Sequence, residues 1–221
     1  AQAYGFYAEN GDVFLGTEYV SPLTIFKDYG SSANPYDVGG SDSLLQTEVI
    51  SSVVGDNTEA GDMPSSGSYQ YSSRAVGIMH VPPWGKDARQ NPHVMALESD
   101  GLIDVDHAGK TVSGSVSLDY VFGMCAFNGE RLEGADLGTV SFQGTITGRS
   151  VTGTASYSYQ QEEGGPDVIS TYVKVGEFVG SFYGPNGDEF GGVILIQEYA
   201  GDTPEDIINS ATLSVSVVGA K

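Results

Sequence analysis

Two histidines, His80 and His93, stand with twelve residues between them in a stretch unlike the rest of the chain. Two of the four methionines, Met79 and Met95, flank them, and the only tryptophan, Trp84, lies between. Over 68–97 there are three cations, Arg74, Lys86 and Arg89, against one acid, Asp87. An imidazole for iron, soft apolar or aromatic walls, and cations for two propionates are what a haem pocket requires. The segment therefore predicts a site for haem b (iron protoporphyrin IX). In this reading His80 and His93 are axial ligands, and Met79, Trp84, Met95, Tyr69 and Tyr71 are walls. Arg74, Lys86 and Arg89 would pair with the propionates.

Local geometry permits this. His80 ends the apolar run Val76-Gly77-Ile78-Met79, and Pro82-Pro83 then forces an extended or turned path. A loop of this length, at ~3.3 Å per residue, spans the roughly 10–15 Å between Cα atoms of opposed axial ligands. Both histidines on one iron, or one alone, remain open. Taken singly, each residue has an ordinary explanation. A histidine at a strand end usually faces water, a methionine usually fills core, and a tryptophan after Pro-Pro can staple a loop. The clustering carries the argument. His107 differs: it sits in Asp104-Val105-Asp106-His107-Ala108-Gly109-Lys110, a hairpin turn. Its acidic neighbours are expected to raise its pKa and favour the protonated, non-ligating form.

Little else resembles chemistry. There is no Gly-x-Ser-x-Gly, and no histidine is marked by a carboxylate partner as in a Ser-His-Asp triad. Asp100, Asp104 and Asp106 lack the glycine and terminal glutamate of a calcium loop. Glu162-Glu163 falls in a polar loop. The chain is therefore expected not to be an enzyme. Cys125 is the sole cysteine, in an apolar context, so neither an internal disulfide nor a cysteine metal cluster can form.

The elements that must hold such a site are strands. Glycine is 31 of 221 residues and tyrosine 13, against one tryptophan, with 39% hydrophobic content. That suits an all-β chain with many tight turns. Apolar-polar alternation marks strands at 102–105, 113–122, 139–147, 151–159, 168–175, 177–183, 190–199 and 211–218. Eight antiparallel strands at this spacing can close into a barrel, placed here at 98–221. Residues 1–97 read as a smaller, β-rich, handle-like domain with long loops and strands near 13–19, 44–54 and 73–80. The one helix signal is Thr203-Pro204-Glu205-Asp206-Ile207-Ile208. The net charge of −20 argues against nucleic acid as a partner and for a soluble monomer. No apolar run is long enough for a membrane helix, so no membrane insertion is expected. The Ala1-Gln2-Ala3 start resembles a processed N-terminus without a lipidated cysteine, which predicts release from the cell.

One segment resembles a known family. Gly180-Ser181-Phe182-Tyr183-Gly184-Pro185-Asn186-Gly187-Asp188-Glu189-Phe190-Gly191-Gly192-Val193 is similar to the signature of the transferrin-binding protein B-like barrel. The upstream hairpin Phe142-Gln143-Gly144-Thr145-Ile146-Thr147-Gly148, returning through Gly153-Thr154-Ala155, fits the same family. From its residues alone the first motif is a hairpin, a fold signature rather than a site. The resemblance implies a Gram-negative surface or secreted protein exported by a Slam translocator. Size and the small N-terminal domain resemble the hemophilins, soluble haem carriers. That implies a secreted hemophore that takes haem, with host haemoglobin as a source, and delivers it to an outer-membrane haem receptor. The alternative is an adhesin or host-glycoprotein-binding protein of the same fold, without haem. The resemblance carries over no haem ligand.

Overall fold

The computed structural model describes residues 2–6, 17–28, 47–81, 93–124, 136–162, 169–198 and 211–221. The chain is all-β. β1 (Gln2–Phe6), β2 (Val20–Asp28) and β3 (Thr47–Gly55) form a three-stranded antiparallel sheet. The next eight strands form a closed antiparallel barrel. They are β4 (Ser68–Val81), β5 (His93–Asp106), β6 (Thr111–Met124), β7 (Asp136–Thr147), β8 (Ser150–Glu162), β9 (Ile169–Tyr183), β10 (Glu189–Glu198) and β11 (Ala211–Ala220). Each pairs with its sequence neighbour, and β11 pairs with β4 to close the ring. The short helix read at 203–208 and most of the strand read at 13–19 lie outside the described residues.

The barrel has the expected number of strands, but not the expected set. It begins at Ser68 rather than near residue 98. The runs at 168–175 and 177–183 are one strand, β9, and β4 supplies the eighth. Gly176 misled the sequence reading, because a glycine between two alternating runs looks like a break. In the barrel it continues the ladder, and its bare Cα lets Ile196 approach: a Cβ there would sit 2.6 Å from Ile196 Cγ1.

Glycine and phenylalanine together fill the interior. Eight strands leave a bore just wide enough for side chains, and alternating small and large residues fill it. Phe142 lies over Gly114, Phe178 over Gly192 and Phe190 over Gly180. A Cβ on those glycines would meet the rings at 2.3, 2.6 and 2.5 Å. Phe178 in turn packs against Phe142 with centroids 4.5 Å apart and against Phe190 at 6.1 Å. The glycine-rich composition thus makes room for aromatic rings. The interior is mostly apolar, while the outward residues of β6 to β8 over 111–117, 139–147 and 150–158 are Ser, Thr and Gln. That arrangement is the reverse of a membrane barrel, whose lipid-facing band is apolar.

The three-stranded sheet stacks on the outside of β10 and β11. Ser214 Oγ donates to Ser51 Oγ at 2.7 Å, and Ser216 Oγ donates to the Ser52 carbonyl at 3.0 Å. Val20, Tyr183 and Val218 form a small apolar cluster between the layers, joined by Tyr19 and Val53. β11 is therefore buried on both faces, without a break from Leu213 to Gly219. The signature glutamate makes a further join. Glu189 is buried, and its carboxylate accepts the amides of Glu18 and of Tyr19, the latter at 2.8 Å. Charge-assisted bonds of this kind meet the cost of burying the carboxylate. The turn before it closes in the same way: Thr58 Oγ1 donates to the Gly184 carbonyl at 2.7 Å, and Tyr71 Oη donates to the Gly187 carbonyl at 2.6 Å.

Candidate functional site

Consecutive rungs of the ladder define a level across one end of the barrel. Ile196 stands opposite Leu213, Leu213 opposite Met79, and Met79 opposite Met95. Ile196, Leu213 and Met79 are buried inside. The next level out along the same inward rows is reached two residues further on each strand, because side-chain direction repeats every second residue. On β5 that position is His93, which stands opposite Val81. On β9 it is Lys174, two residues beyond Gly176. Lys174 is half-buried, between exposed Val173 and Val175, and stands opposite Tyr157, itself packed against the core. The backbone thus sets a histidine position one level beyond the methionine rung at one end of the barrel; Lys174 and Tyr157 face the interior from the far wall, where the rungs through β8, β7 and β6 bring Lys174 level with Gly101, eight residues along β5 from His93.

His80 falls elsewhere. It stands opposite Val94 and Thr212, one rung from the His93 pair. Adjacent rungs of an antiparallel ladder belong to opposite faces of the wall. An intact ladder therefore does not offer both histidine positions to one iron.

Other expected members are separated. Tyr69 and Tyr71 share the inward face, as their alternation predicts, but at the opposite end of β4. Ten residues of strand, about 33 Å, separate Tyr69 from Met79. They are not walls of the same pocket as the methionines. Tyr71 is wholly buried in the core. Tyr69 is 39% exposed and carries Lys221 Nζ 4.3 Å from its ring centroid. Arg74, in mid-strand opposite Asp100 and Val218, is half-buried on the outward row. It is about 20 Å of strand from His80. Trp84, Lys86 and Arg89 lie outside the described residues. Sequence reasoning missed Lys174. The signal was there: a cation on the row that also carries Gly176, Phe178, Gly180 and Phe182.

His107 corrects the electrostatic expectation. It is buried, 4% exposed, with its ring against Phe182 (centroids 5.3 Å) and edge-on to Tyr69 (5.6 Å). Nε2 has no hydrogen-bond partner among the described residues. Burial lowers its pKa below the usual 6.5, Lys221 lowers it further, and Asp106 opposes them with less effect. The Asp106 carboxylate is engaged by the Ala108 and Gly109 amides, both at 3.0 Å. The imidazole is therefore held neutral, not protonated. The unfolded chain takes up that proton first, so this contribution to stability is intact above about pH 6.5 and declines as the pH falls below it. Melting curves between pH 7.5 and 5 should show the wild type losing a few degrees relative to His107→Phe, which keeps the ring packing but cannot titrate. Parallel curves would show that His107 is not the group responsible.

Among the described residues, no three His, Cys, Asp or Glu side chains gather to hold a metal ion, and no helix is long and apolar enough to cross a membrane. A haem iron asks less of a protein, since the porphyrin supplies four of its ligands and the protein one or two.

A family model described as the C-lobe and N-lobe β-barrels of Tf-binding protein B matches residues 63–221. The chain belongs to that family. The match opens five residues before β4, in agreement with the observed barrel. Among solved structures, intact Ap-TbpB is 16% identical with a TM-score of 0.50, covering 93% of this chain and 34% of that one. A mutant of transferrin binding protein B from Haemophilus parasuis is 15% identical, with a TM-score of 0.51 and coverage of 92% and 33%. The isotype 1 transferrin binding protein B from serogroup B Neisseria meningitidis is 15% identical, with a TM-score of 0.50 and coverage of 92% and 31%. At these identities the likeness is one of fold, and this chain spans about a third of each relative. No curated protein matches the sequence.

Proposed function

We propose that this member of the transferrin-binding protein B barrel family is an extracellular haem-binding protein of bacterial iron acquisition. Its task is reversible capture of haem, not catalysis. The observation that supports this reading is the place of His93 on the rung one level beyond the Met79–Met95 pair, at one end of the barrel. His93 would supply the imidazole that holds the iron. Met79, with Met95 opposite it in the ladder, would give a soft apolar floor, and half-buried Tyr157 and Lys174 on the far wall would offer a ring and a cation toward a propionate. Trp84 remains the proposed aromatic wall, and Lys86 and Arg89 the proposed partners of the propionates. The setting is that of a secreted hemophore of a Gram-negative bacterium, exported by a Slam translocator. Haem would come from a source such as host haemoglobin and pass to an outer-membrane receptor.

A second reading is binding of a host glycoprotein without haem. The family description favours it, since its named members bind transferrin. One titration separates the two. Haemin added to the purified chain should give a saturable, shifted Soret band with one equivalent bound, and Lys174→Glu should weaken binding about tenfold, or ~1.4 kcal/mol. An unchanged spectrum of haemin, together with calorimetric binding of transferrin, would replace the first reading with the second.

A further inference from the structure

The turn between β5 and β6 stops the end of the barrel opposite the His93 level. His107 continues the inward row of buried Ile103 and Val105, one residue past the last β5–β6 rung, Asp106 opposite Thr111. Its ring lies against Phe182 of β9 and edge-on to Tyr69 of β4. Ala108, Gly109 and Lys110, which complete the turn, are exposed. The backbone ties the turn to its neighbours: the His107 amide donates to the Gly67 carbonyl at 3.0 Å, and the Ile146 amide donates to the Lys110 carbonyl at 2.9 Å.

The group that closes this end is ionisable, yet its surroundings do not accept a charge. Nε2 is buried without a hydrogen-bond partner among the described residues. The faces that β4 and β9 pack on the imidazole are the uncharged rings of Tyr69 and Phe182. Lys221 Nζ lies over the same Tyr69 ring, 4.3 Å from its centroid, so a second cation there is repelled. The acids at this end are already engaged. The Asp106 carboxylate accepts the Ala108 and Gly109 amides, and Asp188 holds Lys221 Nζ at 3.1 Å. Lys110, on the turn itself, adds another positive charge. An imidazolium therefore gains most by moving to water, and the short exposed turn that carries it can swing without unzipping the strands. We propose that the 107–110 turn is an acid-released stopper: neutral His107 seals this end of the barrel, and the protonated form swings outward, uncovering Phe182 and Tyr69 while the strands stay paired.

The direction of the response follows from linkage. Burial, and then Lys221, hold the closed imidazole's pKa below the usual 6.5, whereas the swung-out group titrates near 6.5. Opening therefore gains as the pH falls below about 6.5 and stops gaining once the closed form also binds the proton. Residue-resolved hydrogen exchange of the full chain reads this at the Ile146 amide, whose acceptor, the Lys110 carbonyl, moves with the turn. Wild type and His107→Phe are compared at each pH, so that the intrinsic pH dependence of exchange cancels. From pH 7.5 to pH 5 the ratio of wild-type to variant rates at Ile146 should rise about tenfold. At Gly77 and Val215, paired in mid-barrel, it should stay constant. Melting temperatures check that the variant folds, and His107→Gln, equally unable to titrate in this range, takes its place if His107→Phe does not. A flat ratio at Ile146 would overturn the proposal. So would a rise at Val215 as large as that at Ile146, which would make the event global unfolding and not release of one turn.

Discussion

Replacing His93 with alanine should remove the ligated Soret and visible bands of the haem-loaded chain, while His80→Ala and His107→Phe leave them in place. The expectation rests on register. His93 lies on the inward rungs one level beyond Met79 and Met95, and His80 lies on the alternate, outward rungs. On the proposed reading, one histidine position on the inward rungs leaves a single protein ligand. The spectrum should then be that of a five-coordinate or water-ligated iron, and imidazole added to His93→Ala should restore a ligated band. Haem affinity should fall at least about tenfold with the ligand. Loss of the bands in His80→Ala alone would move the site to the outer wall. Loss in both single variants would mean that the ladder near Val81 opens to let both histidines reach one iron. Retention of the bands in both single variants and in the double variant would remove the β4–β5 mouth from consideration.

The second large effect concerns stability. Phe178→Ala should cost ~3–5 kcal/mol, because it empties the centre of the barrel between Phe142, Phe190 and Gly192. Gly192→Ala should also destabilise, by about 1–3 kcal/mol, by driving a methyl group into the Phe178 ring. The pair is informative together. With the ring removed, most of the clash at Gly192 disappears, so the double variant should be markedly more stable than the sum of the single losses predicts. Urea denaturation of all four proteins measures the coupling. Additive losses would mean that Gly192 is required for its backbone, not for the space it leaves.

How far the sequence revealed these features depends on the period of each signal. Alternation is local, so β6, β7, β8 and β11 were legible from Ser113, Val140, Val151 and their neighbours alone. The signature around Phe182, Tyr183, Gly184 and Pro185 identified the barrel. β4 was misassigned because nothing within it says that its partner is Thr212–Ala220, far along the chain. The consequence reached the site: Tyr69 and Met79 looked adjacent in a loop-rich segment, yet they occupy opposite ends of one straight strand. The histidines were found by type, but their faces required the register. Lys174 was passed over because a lone lysine in an acidic chain reads as solubility. Only its place on the row of Phe178 and Phe182 gives it meaning. His107 was misjudged because adjacent acids are visible in sequence, whereas the rings of Tyr69 and Phe182 that bury it are not.

The closing pair of the barrel joins residues about 150 positions apart, Ser72 on β4 and Ala220 on β11. Every other barrel pairing links neighbouring strands in the chain. Such a topology can zip from hairpin to hairpin, but it cannot finish until its last strand arrives. Until then β4 and β10 present unpaired edges, and the groove that β11 will fill lies open both to the barrel interior and to the three-stranded sheet. Closure of so distant a pair is slow, since the intervening chain must first be ordered. Ten residues, Ala211–Ala220, therefore act as a key for the whole molecule. A polypeptide of this design gains its rigidity late, when that last strand takes its place.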